Sequence, residues 1–291
     1  MWQIIKLLIY FVLYQEVFGA LVLLPDLLPV LMNTETIVGG TIKLSVSANT
    51  IGLGLVLADI VMIGHLLYFK YIRFPLKSFR EISLKTIVLC FPLIMAGMIF
   101  FNLCAEFLAL PDSMQDSFFA LSRSVFGVLS ITILGPLLEE FLFRGFIQKR
   151  LVQIGVKPLY AILASSALFG VIHMNLAQIP FAFAIGLIFG WLYYRTGSLL
   201  PGIIGHIINN SLATLQMAMM TEEEFNTPTV EWLGEGPTYV VFVLSFAAMI
   251  GMFLYLKKHL PVASNYSQCH PEQSEGSETI HIVKEDQDLI I

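Results

Sequence analysis

Three ionisable side chains stand within one apolar stretch of the sequence, LGPLLEEFLFRGFIQ at 134–148: Glu139, Glu140 and Arg144. On a helix, Glu140 and Arg144 lie on one face and can form an ion pair, whereas Glu139 points about 100° round the axis from Glu140. A positioned carboxylate can take a proton from water and act as a general base. Because ionisable groups within a membrane helix are costly, and the rest of the chain predicts such a helix here, we expect this stretch to carry function.

Two later segments carry polar residues with the same four-residue spacing, FGVIH from Phe169 to His173 and HIINN from His206 to Asn210. On a helix, the first and fifth residues share a face. Imidazole groups exchange protons near neutral pH, and an N–H group aimed at a developing oxyanion typically contributes about 3 kcal/mol. Asn210, rather than the adjacent Asn209, aligns with His206. One acid, two imidazoles and one amide are therefore candidates for the hydrolysis of an amide bond.

The composition predicts a membrane protein. Of 291 residues, 57% are hydrophobic and 13% are charged, against about 25% charged residues in typical soluble domains. The mean hydropathy is +0.80. We therefore expect an all-α, polytopic integral membrane protein with the lipid bilayer as a partner. The net charge of −5 comes largely from one loop and the C-terminal tail, and no basic patch with interleaved aromatic residues is present, so nucleic-acid binding is not expected.

Apolar stretches of about 20 residues predict eight transmembrane helices. They lie near 4–31, 49–69, 86–110, 118–148, 158–175, 177–195, 199–219 and 238–256. The fourth is too long for one straight span and is expected to tilt or to continue into the interface. The first lacks a clear cleavage site and is interpreted as a retained helix rather than a signal peptide.

The domain organisation follows from these spans. We expect one membrane domain over 1–264, with the motifs within about 85–220. The remaining residues, 265–291, are rich in Ser, Gln and Glu and predict a polar, disordered tail in the cytoplasm.

Positive charge alternates between the two sides of the predicted helices. Lys and Arg concentrate after the second, fourth, sixth and eighth spans, whereas the opposite loops are poor in them and the loop at 220–237 is acidic. Short cytoplasmic loops carry an excess of Lys and Arg. A multi-pass protein of the cell membrane with both termini in the cytoplasm satisfies all of these biases.

The same topology predicts a common depth for the polar motifs. Counted from the predicted cytoplasmic ends of their helices, Glu139, His206 and Asn210 lie roughly 12–18 Å into the bilayer, and His173 lies about 24 Å from Lys157. All four are expected within a hydrocarbon core about 30 Å thick.

The motifs EExxxR, FxxxH and HxxxN, in this order on successive predicted helices, resemble those of the CPBP family. These are the CAAX-protease and bacteriocin-processing (Abi) intramembrane proteases, which include the type II CAAX prenyl endopeptidase. The resemblance covers roughly 85–220, about half of the chain. It implies an intramembrane endopeptidase that hydrolyses a peptide bond near the membrane with water activated by glutamate and histidine. The substrate is then a membrane-associated peptide or protein.

The resemblance also implies a role for each motif residue. Glu139 is the catalytic carboxylate that activates water, and His173 is its partner. His206 and Asn210 form the oxyanion hole. The supporting residues of the first motif are Glu140 and Arg144.

The mechanism implied by the resemblance requires no cofactor, but zinc is an alternative. Glu139, His173 and His206 make a two-histidine, one-carboxylate set that can bind zinc and keep an open position. The soluble-protease signature HExxH is absent from the sequence, so local spacing gives a metal no further support.

Two other functions remain open. A non-catalytic membrane immunity or scaffold protein of the same fold would keep the helices without using the motifs. A transporter would use the acids and histidines as a proton relay, but such proteins often contain internal repeats and none is visible here. At the level of single residues, the alternative roles are an ion pair for Glu140 and Arg144 and polar contacts between helices for His206 and Asn210.

Further polar residues lie within or near the predicted spans but outside the motifs. They are Glu16, Asp26, Asp59, His65 and Glu106, to which we assign no common site. Asp59 is expected to pair with a neighbouring helix, and Asn175 is a weaker candidate for the lining of the site.

Overall fold

The computed structural model describes residues 1–32, 46–72 and 82–263, and every regular element in these ranges is helical. The helices, in chain order, are α1 (Trp2–Met32), α2 (Ala48–Tyr68), α3 (Leu84–Leu108), α4 (Gln115–Ser122), α5 (Val125–Gln153), α6 (Pro158–Ile172), α7 (Gln178–Thr196), α8 (Leu200–Met219), α9 (Glu222–Asn226), α10 (Thr229–Leu233) and α11 (Glu235–His259). The predicted tail at 265–291 lies outside the described residues, as do the basic residues between 73 and 81.

Six of these helical segments are long and apolar enough to cross a membrane: Trp2–Pro25 of α1, and the whole of α2, α3, α5, α7 and α11. The prediction of an all-α, polytopic membrane protein is therefore confirmed. The other two predicted spans correspond to α6, which has only 15 residues, and to α8, which is not among the six. The count of eight stays a prediction for these two helices.

Local sequence sets where the helices begin and end. Ser47 and Ser83 cap the N-termini of α2 and α3, because their hydroxyls accept the backbone N–H groups of Thr50 and Thr86 at 3.0 and 3.1 Å. A left-handed residue, Gly197 with φ of 67°, ends α7 and turns the chain into α8.

Two predicted helix bounds were wrong. The span at 118–148 is not one helix, because α4 ends at Ser122 and Ser124 then caps a new helix by accepting the N–H of Gly127 at 3.1 Å. The span at 158–175 ends earlier, at Ile172, so that His173 lies in the turn that follows α6. The break after α4 coincides with the polar residues Ser122, Arg123 and Ser124, whereas apolar composition alone does not mark the end of α6 at Ile172.

The central helix α5 contains two π-helical turns, Ser130–Leu134 and Glu140–Gln148. In the first, the N–H of Gly135 donates to the carbonyl of Ser130, five residues back. The carbonyl of Ile131 consequently lacks its usual partner, and Pro136 has no N–H with which to replace it. Inserted π turns of this kind often occur at functional sites.

Helix α5 packs against the rest of the bundle through its second half, where Leu138, Leu142, Phe143 and Ile147 are completely buried. Its first turn meets α2 at very short range. A Cβ atom at Gly52 would lie 2.4 Å from the backbone nitrogen of Gly127, so the two backbones are in direct contact.

The charged residues segregate to the two ends of the bundle. At the basic end, Lys6 lies over the ring of Tyr71, and Tyr71 packs against Phe146. Ile72 and Leu199 lie close to Gly145. Arg195 donates to the carbonyl of Lys257. At the acidic end, the contacts are Arg123 with the carbonyl of Met220, Phe119 with Phe225, Asp112 with Asn175, and Glu106 with Thr229. The first turn of α1 and the last turn of α11 therefore lie at the same, basic end.

Candidate active site

The predicted ion pair between Glu140 and Arg144 is confirmed, and it is deeply buried. Arg144 Nη1 donates to Glu140 Oε1 at 2.7 Å, and the side chains of both residues are 1% exposed. Arg144 Nη2 also donates to the carbonyl of Gly186 at 3.3 Å. The guanidinium lies 4.3 Å from the centroid of the Phe169 ring, a cation–π distance. Arg144 therefore does not extend to the interface but joins α5 to α6 and α7.

Two glycines make room for this pair. A Cβ atom at Gly202 would lie 2.8 Å from Glu140 Oε2, and one at Gly186 would lie 3.0 Å from Arg144 Nη2. Helices α7 and α8 can approach the charged groups because these two positions have no side chain.

The imidazole of His206 lies between the two glutamates. Its Nε2 is 3.5 Å from Glu139 Oε2, and its Nδ1 is 3.4 Å from Glu140 Oε1. The two carboxylates differ in access, because the Glu139 side chain is 18% exposed and that of Glu140 is 1% exposed. Glu139 is thus the carboxylate that a water molecule can reach. Glu139 and Glu140 therefore differ in solvent exposure, as their different directions on the helix predict. Both carboxylates nevertheless lie close to the imidazole of His206.

His173 lies just beyond the end of α6, where the next residue, Met174, has a φ of 49° and reverses the chain. Its Nδ1 is 2.8 Å from the carbonyl of Phe169. A carbonyl can only accept, so Nδ1 carries the proton and Nε2 of the neutral ring is the basic nitrogen. The four-residue spacing of FxxxH thus fixes the tautomer of the histidine as well as its face.

Asn210 is held by the irregular turn of α5. Its Nδ2 donates to the carbonyl of Ile131 at 2.9 Å, and its Oδ1 accepts from Nδ2 of Asn209 at 3.1 Å. The Ile131 carbonyl is free to accept because Pro136 lacks an N–H, as described above. The backbone irregularity of α5 therefore orients a polar side chain of α8.

A cavity of about 1130 Å³ brings the predicted residues together. Glu139, His173, His206 and Asn210 all line it. Apolar side chains of α3 and α7 form much of the remaining wall, including Met95, Met98, Ile99, Phe181, Ile185 and Phe189. The cavity extends from Glu139 to the acidic end of the bundle, where residues of α9 and α10 line it.

The mouth of the cavity is acidic. Glu224 lines it, and hydrogen bonds from the backbone N–H and the hydroxyl of Thr221 lower the pKa of this carboxyl below its ordinary value. The carboxylate therefore stays ionised at neutral pH. Asn175 is buried beside the mouth and donates to Asp112 Oδ1 at 2.7 Å, but it is not among the residues that line the cavity.

Zinc stays an untested alternative for Glu139, His173 and His206. Among the described residues, no three His, Cys, Asp or Glu side chains are grouped closely enough to hold a metal ion. Glu139, His173 and His206 share the cavity without forming such a group.

Sequence analysis missed three polar residues on the same cavity wall, Gln15, Asp59 and Ser130. The predicted pairing of Asp59 with a neighbouring helix is confirmed by its hydrogen bonds to Ser130 and Gln15. Their sequence positions, on α1, α2 and α5, share no spacing that could have grouped them. Pro136 gave a partial signal for the Ile131 carbonyl: in a regular α-helix this proline would leave the carbonyl of Thr132 unpaired, and the π turn shifts the effect by one residue.

Part of the chain is similar to known membrane peptidases. The family model "Type II CAAX prenyl endopeptidase Rce1-like" matches residues 121–212, which include all six predicted site residues. The membrane-embedded CAAX protease MroQ of Staphylococcus aureus (strain USA300) is 33% identical over 93 residues, 30% of this chain and 38% of the relative. YdiL of Bacillus subtilis (strain 168), provisionally named a membrane peptidase, is 32% identical over 88 residues, 30% of this chain and 36% of the relative.

The matches cover less than two fifths of either relative, and no solved structure matches the chain significantly. The matched region nevertheless contains the three motifs in order, on an all-α membrane scaffold. Over this region the chain is similar to CAAX-protease-like membrane peptidases, consistent with the CPBP family.

Proposed function

We propose that this protein is an intramembrane endopeptidase that hydrolyses a peptide bond of a membrane-associated peptide or protein. The observation that carries the proposal is the position of Glu139. Its carboxylate reaches the cavity, lies 3.5 Å from an imidazole nitrogen of His206, and shares the cavity with His173 and Asn210. The cavity volume of about 1130 Å³ is slightly larger than is typical of drug-sized ligands and suits an extended peptide of a few residues.

In the proposed reaction, Glu139 accepts a proton from water while the water oxygen forms a bond to the carbonyl carbon of the substrate. The carbonyl π electrons move to the oxygen and form an oxyanion. The oxyanion accepts the second N–H of the Asn210 amide, whose first N–H is bonded to Ile131. The tetrahedral intermediate then reforms the carbonyl, the C–N bond breaks, and the proton held by Glu139 passes to the leaving nitrogen.

The two histidines have separate roles in this proposal. The basic Nε2 of His173 accepts a hydrogen bond from the attacking water and orients it toward the carbonyl carbon. His206 Nε2, beside Glu139 Oε2, stabilises the carboxylate and donates to the oxyanion as the proton moves. The buried Glu140–Arg144 pair holds α5 against α6 and α7 and so keeps Glu139 at the cavity wall.

The proposal includes an orientation. The basic end of the bundle faces the cytoplasm, which places both termini there, and the acidic mouth of the cavity faces the opposite side.

The test is proteolysis by the purified protein in proteoliposomes, with a panel of fluorogenic membrane peptides, each with and without a zinc chelator. Glu139→Gln removes the base and keeps the shape, so we expect kcat to fall by about 10²–10⁴-fold. The matched control is Glu16→Gln, which neutralises an exposed carboxylate on α1 and is expected to keep the wild-type rate.

Three outcomes decide between the alternatives. Wild-type activity in Glu139→Gln would end the proposed mechanism. Cleavage that the chelator abolishes would assign the water activation to a bound metal. An inactive wild type, together with a cellular phenotype that survives Glu139→Gln, would identify a non-catalytic immunity or scaffold protein.

A further inference from the structure

A buried carboxylate that the proposed reaction does not use lies on the wall of the same cavity. Asp59, on α2, is 2% exposed. Its Oδ2 accepts the hydroxyl of Ser130 at 2.6 Å, and its Oδ1 accepts Nε2 of Gln15 at 3.1 Å. All three residues line the cavity that contains Glu139. Asp59 therefore joins α1, α2 and α5 at one point of the cavity wall.

The contact between Asp59 and Ser130 lies at the start of the first π turn of α5. Ser130 is the first residue of the π turn Ser130–Leu134, and its carbonyl accepts the N–H of Gly135 that defines the turn. The carbonyl of the next residue, Ile131, holds the amide of Asn210. The Asp59 carboxylate thus fixes the side chain of one residue while Asn210 binds the backbone of its neighbour.

The hydrogen bond between Asp59 and Ser130 is strong enough to hold Ser130 in one position. A buried carboxylate is costly unless hydrogen bonds satisfy it, and bonds to an ionised acceptor are short and about twice as strong as neutral ones. The 2.6 Å separation between Ser130 Oγ and Asp59 Oδ2 is of this short class. An irregular helical turn lacks part of its own hydrogen bonding, so an external acceptor is an effective way to hold it in one conformation.

We propose that Asp59 is a positioning residue of the hydrolytic site: by binding Ser130, it fixes the π turn that presents the Ile131 carbonyl to Asn210. This inference rests on the proposed peptidase function for its effect on rate, though not for its effect on structure. It extends the site to α1 and α2, which lie outside the region 121–212 matched by the family model.

The first test measures kcat and KM for Asp59→Ala, Ser130→Ala and the double variant. Asp59→Ala and Ser130→Ala each remove the contact, and we expect kcat to fall about 10-fold or more with KM nearly unchanged, because misplacement of a positioned group lowers kcat. The double variant should be no slower than the slower single variant, because both substitutions break one contact.

The conservative variant separates positioning from general destabilisation. In Asp59→Asn, the amide oxygen can still accept the Ser130 hydroxyl, and the amide N–H can donate to the buried Gln15 Oε1. We expect this variant to retain most of the wild-type kcat. The matched control is Asn49→Ala, which removes another hydrogen bond between α2 and the start of α5, that from Ser124 Oγ to Asn49 Oδ1 at 2.8 Å, away from the cavity.

The second test does not depend on activity. Hydrogen–deuterium exchange of backbone amides over 129–136 should be faster in Asp59→Ala and Ser130→Ala, and unchanged in Asp59→Asn and Asn49→Ala. Wild-type exchange and wild-type kcat in Asp59→Ala would overturn the inference and leave the peptidase proposal intact. If the wild-type protein is inactive but amide exchange over 129–136 depends on Asp59 as described, the peptidase proposal is overturned. The role of Asp59 in fixing the π turn is then supported.

Discussion

The amide of Asn210 can donate to the carbonyl of Ile131 because Pro136 has no backbone N–H that would occupy this carbonyl. Pro136 removes one N–H from α5, and the N–H of Gly135 is already bonded to Ser130. The carbonyl of Ile131 then has only Asn210 Nδ2, at 2.9 Å, to satisfy it. A single proline thus explains both the irregular turn of α5 and the orientation of a proposed oxyanion donor.

Substitution of Pro136 tests this account. In Pro136→Ala, the restored N–H can bond within the helix and compete with Asn210 for the carbonyl of Ile131. We expect kcat for a cleaved peptide to fall about 10-fold, through loss of part of one oxyanion contact, while the thermal midpoint in detergent stays equal or rises. A regular α5 with full activity in this variant would contradict the account.

The control for that measurement is a second proline within a helix. Pro92 lies inside α3 and is exposed away from the cavity. Pro92→Ala should leave kcat unchanged, so a loss confined to Pro136→Ala identifies the effect of the π turn.

At the scale of helices, the approach of α2 to α5 determines whether Asp59 can reach Ser130. The two backbones touch at Gly52 and Gly127, where any side chain would collide with main-chain atoms. Asp59 lies two turns further along α2, at a distance from α5 that this contact sets.

Gly52→Ala should therefore force the two helices apart. A Cβ 2.4 Å from a backbone nitrogen cannot be accommodated by a side-chain rotation, and we expect a loss of about 1–3 kcal/mol of unfolding free energy, measured by reversible denaturation in mixed micelles. Faster amide exchange over 129–136 should accompany it.

The control comes from the same helix. Gly64 has no atom within 4 Å of an added Cβ, so Gly64→Ala should be neutral or stabilising by up to about 1 kcal/mol. Equal destabilisation in both variants would show that the effect does not come from the contact with α5, because Ala favours the helix more than Gly at either position.

The sequence was sufficient for the approximate positions of most helices and for the shared faces of the motif residues, because apolar length and four-residue spacing are local properties. It was not sufficient for features that depend on how helices are rotated against each other. His206 lies between Glu139 and Glu140 only because of the orientation of α8 relative to α5, and no spacing within either helix encodes it. The π turns and the location of His173 after α6 likewise depend on backbone geometry that apolar patterns do not distinguish.

At the scale of the whole molecule, charge separates the bundle into a basic end and an acidic end. The described cations at the basic end are Lys6, Lys70, Lys85, Lys149, Arg150, Lys157, Arg195, Lys257 and Lys258. The described acids at the other end are Glu106, Asp112, Asp116, Glu222, Glu223, Glu224, Glu231 and Glu235. The separation in space reproduces the alternation that the sequence predicted along the chain. It supports a single orientation in the membrane.

That orientation can be measured by labelling of intact cells with a membrane-impermeant maleimide. In a background without the three native cysteines, a cysteine at Ser117, exposed at the acidic end, should be labelled, because this end is proposed to face outward. A cysteine at Lys258, exposed at the basic end, should be labelled only after the cells are opened. The reverse pattern would invert the proposed topology.

The bond between Glu140 and Arg144 lies within one helix, one turn apart. Their charges can therefore compensate each other as soon as α5 is formed, before α7 or α8 is available to cover them. A lone arginine or glutamate near the middle of a nascent segment raises the free energy of lateral release from the translocation channel by about 2.5–3.5 kcal/mol. Since this pair is self-contained, α5 can enter the lipid during synthesis carrying Glu139 as its one uncompensated acid, and the later helices complete the cavity around it.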